Sequence, residues 1–314
     1  MNMKELKNYK SSNNNKILFV LPLNVIEETL LNECLYALGE QDEIVDLLIL
    51  NHNLNNDSLN KLKSIIENPT IERMKGKQGE QENVKLTAKN KINFIIEETS
   101  SDTFSKIFND SLNYANINGY EWFTVLESDD SLTKNWVKYF NLFSTEKNEY
   151  DAFVPLSRQI APMGFAGFMN EASWVDGFAE VAGIFDLNLM LRFNCVNIAG
   201  TAFKTQSILK YSEEKDGTYK PMKESMKINY SYEFLLRMIY NDLKFYTIPR
   251  MGYDCRVNRN VEKYDYFSSK LPMDIVQKSP ENGGVKAEEF KFWTDLAKKE
   301  YFFDNDRNKI YQSA

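Results

Sequence analysis

The run Glu127-Ser128-Asp129-Asp130 sets three acids at the end of an apolar stretch, Trp122 to Leu126. Such a stretch reads as a buried strand, so the acids leave it at its carboxyl end. On an extended chain residues i and i+2 share a side, and Glu127 and Asp129 are expected to project together. Two convergent carboxylates repel unless a cation or proton lies between them. All-oxygen donors suit hard divalent ions, Mg2+ or Mn2+. Asp129 is the principal candidate ligand, with Glu127 and Asp130 beside it. An ion held there would bridge a diphosphate and offset the charge that develops on a departing phosphate. The plainer reading is of acids that precede a helix and complement its dipole. The position after three strand–helix units favours the metal.

The remaining titratable groups narrow the chemistry. His52 is the only histidine, so serine–histidine catalysis rests on that one residue and multi-histidine metal sites have no material. The cysteines Cys34, Cys195 and Cys255 are scattered and odd in number, which yields neither a disulfide framework nor a CxxC zinc site. They fit a reducing cytoplasm. A net charge of -7 argues against a duplex nucleic-acid binder, which needs a basic footprint. A phosphate-bearing ligand remains compatible, because a bound cation supplies positive charge. Residues 1–15 are polar, rich in Asn and Lys, and read as a disordered arm rather than a leader. No apolar run reaches membrane-spanning length.

Alternating patterns position the acids. Apolar runs at Lys16–Pro22, Ile44–Leu50, Ile92–Ile96 and Trp122–Leu126 read as strands buried on both faces. Between them lie helical stripes: Leu30, Leu31, Cys34, Leu35, Leu38; then Leu59, Leu62, Ile65, Ile66; then Phe104, Ile107, Phe108, Leu112. Asp57 or Ser58, Asp102 and Thr133 are the expected helix caps. Residues 74–90 read as a polar loop or insertion. This order predicts an α/β fold with a mostly parallel central sheet and helices on both faces. Ligands in such sheets bind outside the carboxyl ends of the strands, here Pro22–Asn24, Asn51–Asn53 and Glu127–Asp130.

Beyond Tyr150 the pattern loosens. A strand from Asp151 is expected to stop at Pro155. Residues 163–185, rich in Gly and aromatics, read as a long shaped loop, and such loops are often functional. Short strands follow at Ile198–Phe203 and Phe245–Pro249, with Tyr253–Val257 pairing against the latter. A helix carries Tyr232, Leu235, Leu236 and Ile239. A last amphipathic helix holds Phe290, Trp293 and Leu296.

These blocks, in this order, resemble glycosyltransferase family 2 of the GT-A fold over residues 16–258. Phe19-Val-Leu-Pro22 with Leu31-Asn-Glu-Cys-Leu35 resembles its first strand and helix, and Leu48–Asn51 through Asp57-Ser58 its nucleoside-binding region. Phe104 and Asn109 match its next helix start, and Phe123–Asp130 its metal motif. Gly200–Lys204, Tyr232–Arg237, Ile248-Pro249 and Arg256-Val257 follow its acceptor half. The loop around Asn170–Trp174 is similar to that of phage-encoded members. The resemblance implies a nucleotide-binding half at 16–150, an acceptor half at 151–258 and a C-terminal helical extension at 259–314. It also implies an inverting transfer from a UDP- or GDP-sugar to a hydroxyl of a glycan, lipid-linked, protein or modified-base acceptor, in the cytoplasm (the host's, for a phage protein).

The donor is expected to touch Pro22, Asn24, Asn51, His52, Asn53, Phe104, Asn109, Ser128 and Gly200, with Trp174 stacked on the sugar. The sequence departs from the family where base chemistry is concerned. Asn51 stands for the usual Asp, Tyr230-Ser231 for the Glu-Asp pair that carries the base, and Asn258 for a His. A serine hydroxyl has no useful basicity near neutral pH. Glu233, Asp176 and Glu180 are the carboxylates left to take the acceptor's proton. A binding or structural protein that keeps the fold without the base is the alternative.

Overall fold

The computed structural model describes residues 17–75, 82–161, 164–168, 196–226, 228–256, 291 and 295. Its elements begin with β1 (Ile17–Leu23), α1 (Glu28–Gly39), β2 (Asp46–Asn51), α2 (Asn56–Glu67), β3 (Thr70–Lys75), β4 (Glu82–Thr87), β5 (Asn93–Glu98) and α3 (Phe104–Ile117). Then come β6 (Trp122–Val125), β7 (Ser131–Leu132), α4 (Trp136–Glu146), β8 (Ala152–Ala161) and β9 (Gly164–Phe168). The described chain closes with β10 (Ala202–Lys204), α5 (Thr205–Lys210), β11 (Glu213–Lys215), β12 (Thr218–Lys220), α6 (Tyr230–Tyr240) and β13 (Phe245–Arg256).

The main sheet runs β5-β2-β1-β6-β10-β8-β13-β7, with β9 paired to β8. The ladders β2–β5, β1–β2, β1–β6 and β8–β13 are parallel, while β10, β7 and β9 run antiparallel to their neighbours. The predicted α/β architecture, a mostly parallel central sheet with helices on both faces, is therefore present. Its physical basis is the apolar run itself. Every residue of β1 is buried, with alternate side chains feeding two cores. Leu18 and Val20 join α3 and α6 on one face, whereas Ile17, Phe19 and Leu21 join α1, α2 and α4 on the other.

The structure corrects several local readings. Within the stretch 74–90, read as a loop or insertion, the described residues include strand: Thr70–Lys75 and Glu82–Thr87 pair antiparallel beside the main sheet. The α2 cap is Asn55, whose Oδ1 accepts from Ser58 N–H at 2.8 Å, so Asp57 and Ser58 lie inside the helix. Thr103 occupies the α3 cap position, and Asp102 instead pairs with Lys106 one turn on. Asn135, in the left-handed region, precedes α4, while the Thr133 hydroxyl donates to Met251 O. Pro155 does not stop β8. Pairing to β10 ends at Phe153 and pairing to β9 begins at Arg158, so the missing N–H falls in the gap between two ladders. Phe245–Pro249 and Tyr253–Arg256 are one strand, β13, with register shifts between Ile248 and Tyr253. Residues 291 and 295 are helical, and the rest of the expected C-terminal helix and of the 1–15 arm lie outside the described residues. Among the described residues no helix is long and apolar enough to cross a membrane.

Candidate functional site

Because β5, β2, β1, β6, β8 and β13 are mutually parallel, their carboxyl ends share one edge. The acids emerge there from β6, near the middle of the sheet. One carboxylate oxygen from each of Glu127, Asp129 and Asp130 lies within 4.8 Å of the other two. Glu127 and Asp130 are buried and Asp129 is half-buried. Their convergence has a different cause from the extended-strand alternation expected. The strand ends at Val125, and residues 127–130 form a tight turn closed by Asp130 N–H to Glu127 O at 3.0 Å.

Four neighbours hold that turn. The Tyr253 hydroxyl accepts the Glu127 N–H at 3.2 Å. Burial, then the charges of Asp130 and Glu127, push this phenol well above its ordinary range. Arg256 donates its backbone N–H to Asp130 Oδ1 at 2.7 Å and its guanidinium to Asp129 O at 2.9 Å, and it also reaches Glu33 on α1. β7 then pairs the exit of the turn to β13, Ser131 to Asp254 and Leu132 to Tyr253. Buried Gln41 fixes the approach to α4, donating to Ala37 O and Thr133 O and accepting from Val137 N–H. Gly200 completes the support. It adopts φ +80°, and a Cβ there would sit 2.5 Å from Tyr253 Cδ2.

The expected donor-binding residues fall into three groups. At the edge, Pro22 is buried within β1 and Asn24 is exposed just beyond it. Asn51 is buried, and its Oδ1 accepts Leu54 N–H at 3.1 Å. His52 N–H donates to Leu23 O, joining the β1 and β2 ends, and its Nε2 lies 3.1 Å from Nδ2 of Asn53, which is exposed with φ +56°. Ser128 is half-buried within the acidic turn. The second group is enclosed. Phe104 is wholly buried and stacked on Tyr230, centroids 6.1 Å apart, so it is core rather than an open nucleotide contact. Asn109 is likewise buried. It donates to Met222 O and Glu224 Oε1 and accepts Met222 N–H, which ties α3 to residues 222–224. The third group, Trp174 with the candidate bases Asp176 and Glu180, lies outside the described residues.

Glu233 is buried. It is 1% exposed on α6, with Arg237 at 3.0 Å and Lys223 at 3.3 Å. Arg237 also donates to Tyr211 O and to Pro221 O, so this cluster knits α6 to the segment before it. Ser231 is buried at the start of the same helix.

Sequence reasoning missed Tyr253, Glu33, Gln41 and the Arg158–Asp254 fork, with N–O distances of 2.6 and 2.5 Å. One signal was available. Alternation along β13 turns Tyr253 and Cys255 inward and Asp254 and Arg256 outward. Which partners they meet depends on the β7 and β8 registers.

No family model matches the chain, and no curated protein matches it in sequence. Its fold is similar to solved structures of S. aureus TarS. The TarS 1–349 structure in complex with UDP-GlcNAc matches with a TM-score of 0.56 at 14% identity, over 93% of this chain and 69% of that one. TarS 1–349 in complex with UDP matches at 0.52 and 14%, over 77% of this chain and 61% of that one. The longer S. aureus TarS structure gives 0.53 and 13%, and there the chain spans 37% of its length. At these identities the likeness is one of fold.

Proposed function

We propose that the chain is a nucleotide-sugar glycosyltransferase of family 2 type that requires Mn2+ or Mg2+ and inverts the sugar's anomeric centre. The carrying observation is the acidic turn: three carboxylates within 4.8 Å at the carboxyl edge of a GT-A sheet. The donor set is all carboxylate oxygen and two of its members are buried, which fits a hard divalent ion. Glu127, Asp129 and Asp130 would hold the ion, which when bound neutralises charge on a departing diphosphate. Support for the donor class comes from the fold shared with TarS, whose structures hold UDP and UDP-GlcNAc.

In this reading residues 16–150 carry the nucleoside and diphosphate, residues 151–258 the acceptor, and the protein works in the cytoplasm. The acceptor hydroxyl oxygen bonds to the anomeric carbon as its bond to the diphosphate oxygen breaks. The diphosphate leaves with the electron pair and the hydroxyl proton passes to a carboxylate. Glu233 already serves Arg237 and Lys223 in the interior, so Asp176 and Glu180 are the preferred bases. The same observation favours a second reading, a binding protein that kept the pocket and lost the base.

Calorimetry with UDP and GDP, in Mn2+ and in excess chelator, tests the metal. Equal affinity in both conditions refutes it. Transfer assays on Asp176→Asn and Glu180→Gln test the base, which should lose at least about a hundredfold in rate with donor binding retained. Wild-type protein that binds donor but never transfers establishes the second reading.

A further inference from the structure

Asn197 is a buried polar residue whose side-chain nitrogen is not used by its neighbours among the described residues. It is 5% exposed, and its side-chain Nδ2 is buried with no hydrogen-bond partner among the described residues. A buried amide with no partner forfeits the hydration it had in the unfolded chain and regains nothing. Native structures pair nearly all such groups, so one left over is a place where a ligand or water is missing.

Its position indicates which ligand. β10 pairs antiparallel to β6, Phe203 opposite Phe123, and the register shifts by one residue at Gly200, whose φ is +80°. The Gly200 N–H donates to Val125 O at 2.9 Å, so the chain is still fastened to the end of β6 there. The turn before β10 is therefore fastened beside the end of β6, from which Glu127–Asp130 leave the sheet. A turn, closed by Thr201 Oγ1 to Asn197 O at 2.6 Å, holds Asn197 in that place. Its neighbours Val196 and Ile198 pack into the α3–α6 core, while Ala199 packs into the opposite one.

Sheet order then divides the edge. The acidic turn lies on β6; the loops after β1, β2 and β5 lie to one side of it, and Asn197, before β10, lies to the other. With the diphosphate at the turn and the nucleoside over the β1–β2 loops, the sugar points toward β10. We infer that Asn197 is a positioning residue whose amide N–H donates to an oxygen of the transferred sugar, a hydroxyl or an acetamido carbonyl. The inference rests on the proposed nucleotide-sugar reading and adds a sugar contact to it.

The test compares the full-length protein with Asn197→Ala and Asn197→Asp, in Mn2+, against UDP, GDP and a panel of their hexose and N-acetylhexosamine conjugates, by calorimetry. Wild type should bind at least one conjugate more tightly than its parent diphosphate. Asn197→Ala should keep diphosphate affinity within about twofold yet lose about 3- to 10-fold for that conjugate, the worth of one neutral hydrogen bond. Asn197→Asp, which trades a donor for an acceptor in nearly the same shape, should lose more. Because the Nδ2 group has no partner among the described residues, Asn197→Ala should unfold at the same temperature as wild type or higher. A lowered midpoint means that the amide serves the fold and overturns the inference, as does an unchanged preference for the conjugate in both variants. Wild type that binds diphosphates but gains nothing from any sugar overturns the inference alone. Wild type that binds neither diphosphates nor conjugates removes the proposed function with it.

Discussion

Gly200→Ala tests the support of the acidic turn from underneath. Two costs add at this position. The backbone sits at φ +80°, where an L side chain costs about 1–2 kcal/mol. The new Cβ would also stand 2.5, 2.8 and 3.0 Å from Cδ2, Cγ and Cε2 of Tyr253. That ring is fully buried and its hydroxyl is engaged with Glu127 N–H, so it has no open direction in which to yield. Forcing one methyl into such a contact costs about 1–3 kcal/mol. The sum is about 2–5 kcal/mol, measured as the change in urea-unfolding free energy. Gly119→Ala is the internal control. It has φ +74° with no atom within 4 Å of the new Cβ, and should show the backbone cost alone, about 1–2 kcal/mol. The difference between the two variants isolates the push on Tyr253. If Gly200→Ala costs no more than Gly119→Ala, Tyr253 is not locked and does not fix the acidic turn. A locked Tyr253 should also make Mn2+ affinity drop in Gly200→Ala and not in Gly119→Ala.

Other consequences follow from the same geometry. Asp129→Ala should abolish the chelator-sensitive part of UDP or GDP binding while leaving the unfolding midpoint within a few degrees; retained metal dependence would move the site elsewhere. Glu233→Gln removes the carboxylate between Arg237 and Lys223 and should cost about 3 kcal/mol or more, as breaking a buried pair does, with the transfer rate per folded molecule preserved. A stable Glu233→Gln protein with a hundredfold slower rate would instead make Glu233 the base. Tyr253 has a folded pKa above its unfolded value, so its contribution to stability is whole below about pH 10 and is lost as pH rises through the folded value. Absorbance at 295 nm should therefore show its phenolate appearing only with alkaline unfolding. Tyr253→Phe should leave the native part of that titration unchanged, and a native-state step that vanishes in the variant would contradict this.

The division between sequence and structure follows from the range of the forces involved. Local pattern was enough for the sheet and its helices. Unbroken apolar runs such as Leu18–Leu21 and Leu47–Leu50 have no stable place except a strand covered on both faces, and stripes such as Leu31, Cys34, Leu35, Leu38 require a helix on that cover. The acids after Leu126 were equally legible, because a parallel strand's carboxyl end is fixed by chain direction alone. Short-range competition was not legible. Asn55, Thr103 and Asn135 took the cap positions from their neighbours by one or two residues, and the 70–87 hairpin hid in a polar stretch whose stability comes from cross-strand pairing.

Tertiary structure alone decided what the polar residues do. Glu233 read as a candidate base until Arg237 and Lys223 closed over it, and Asn109 as a ligand contact until Met222 and Glu224 claimed it. Tyr253, Arg256 and Gly200 stand some 70 to 130 positions from the acids they brace, and only the β6–β10 and β7–β13 registers bring them there. Hydrophobic burial is roughly additive along the chain and is written in its periodicity. A hydrogen bond needs its partner within about 3 Å, and the partner's identity is set by the whole fold.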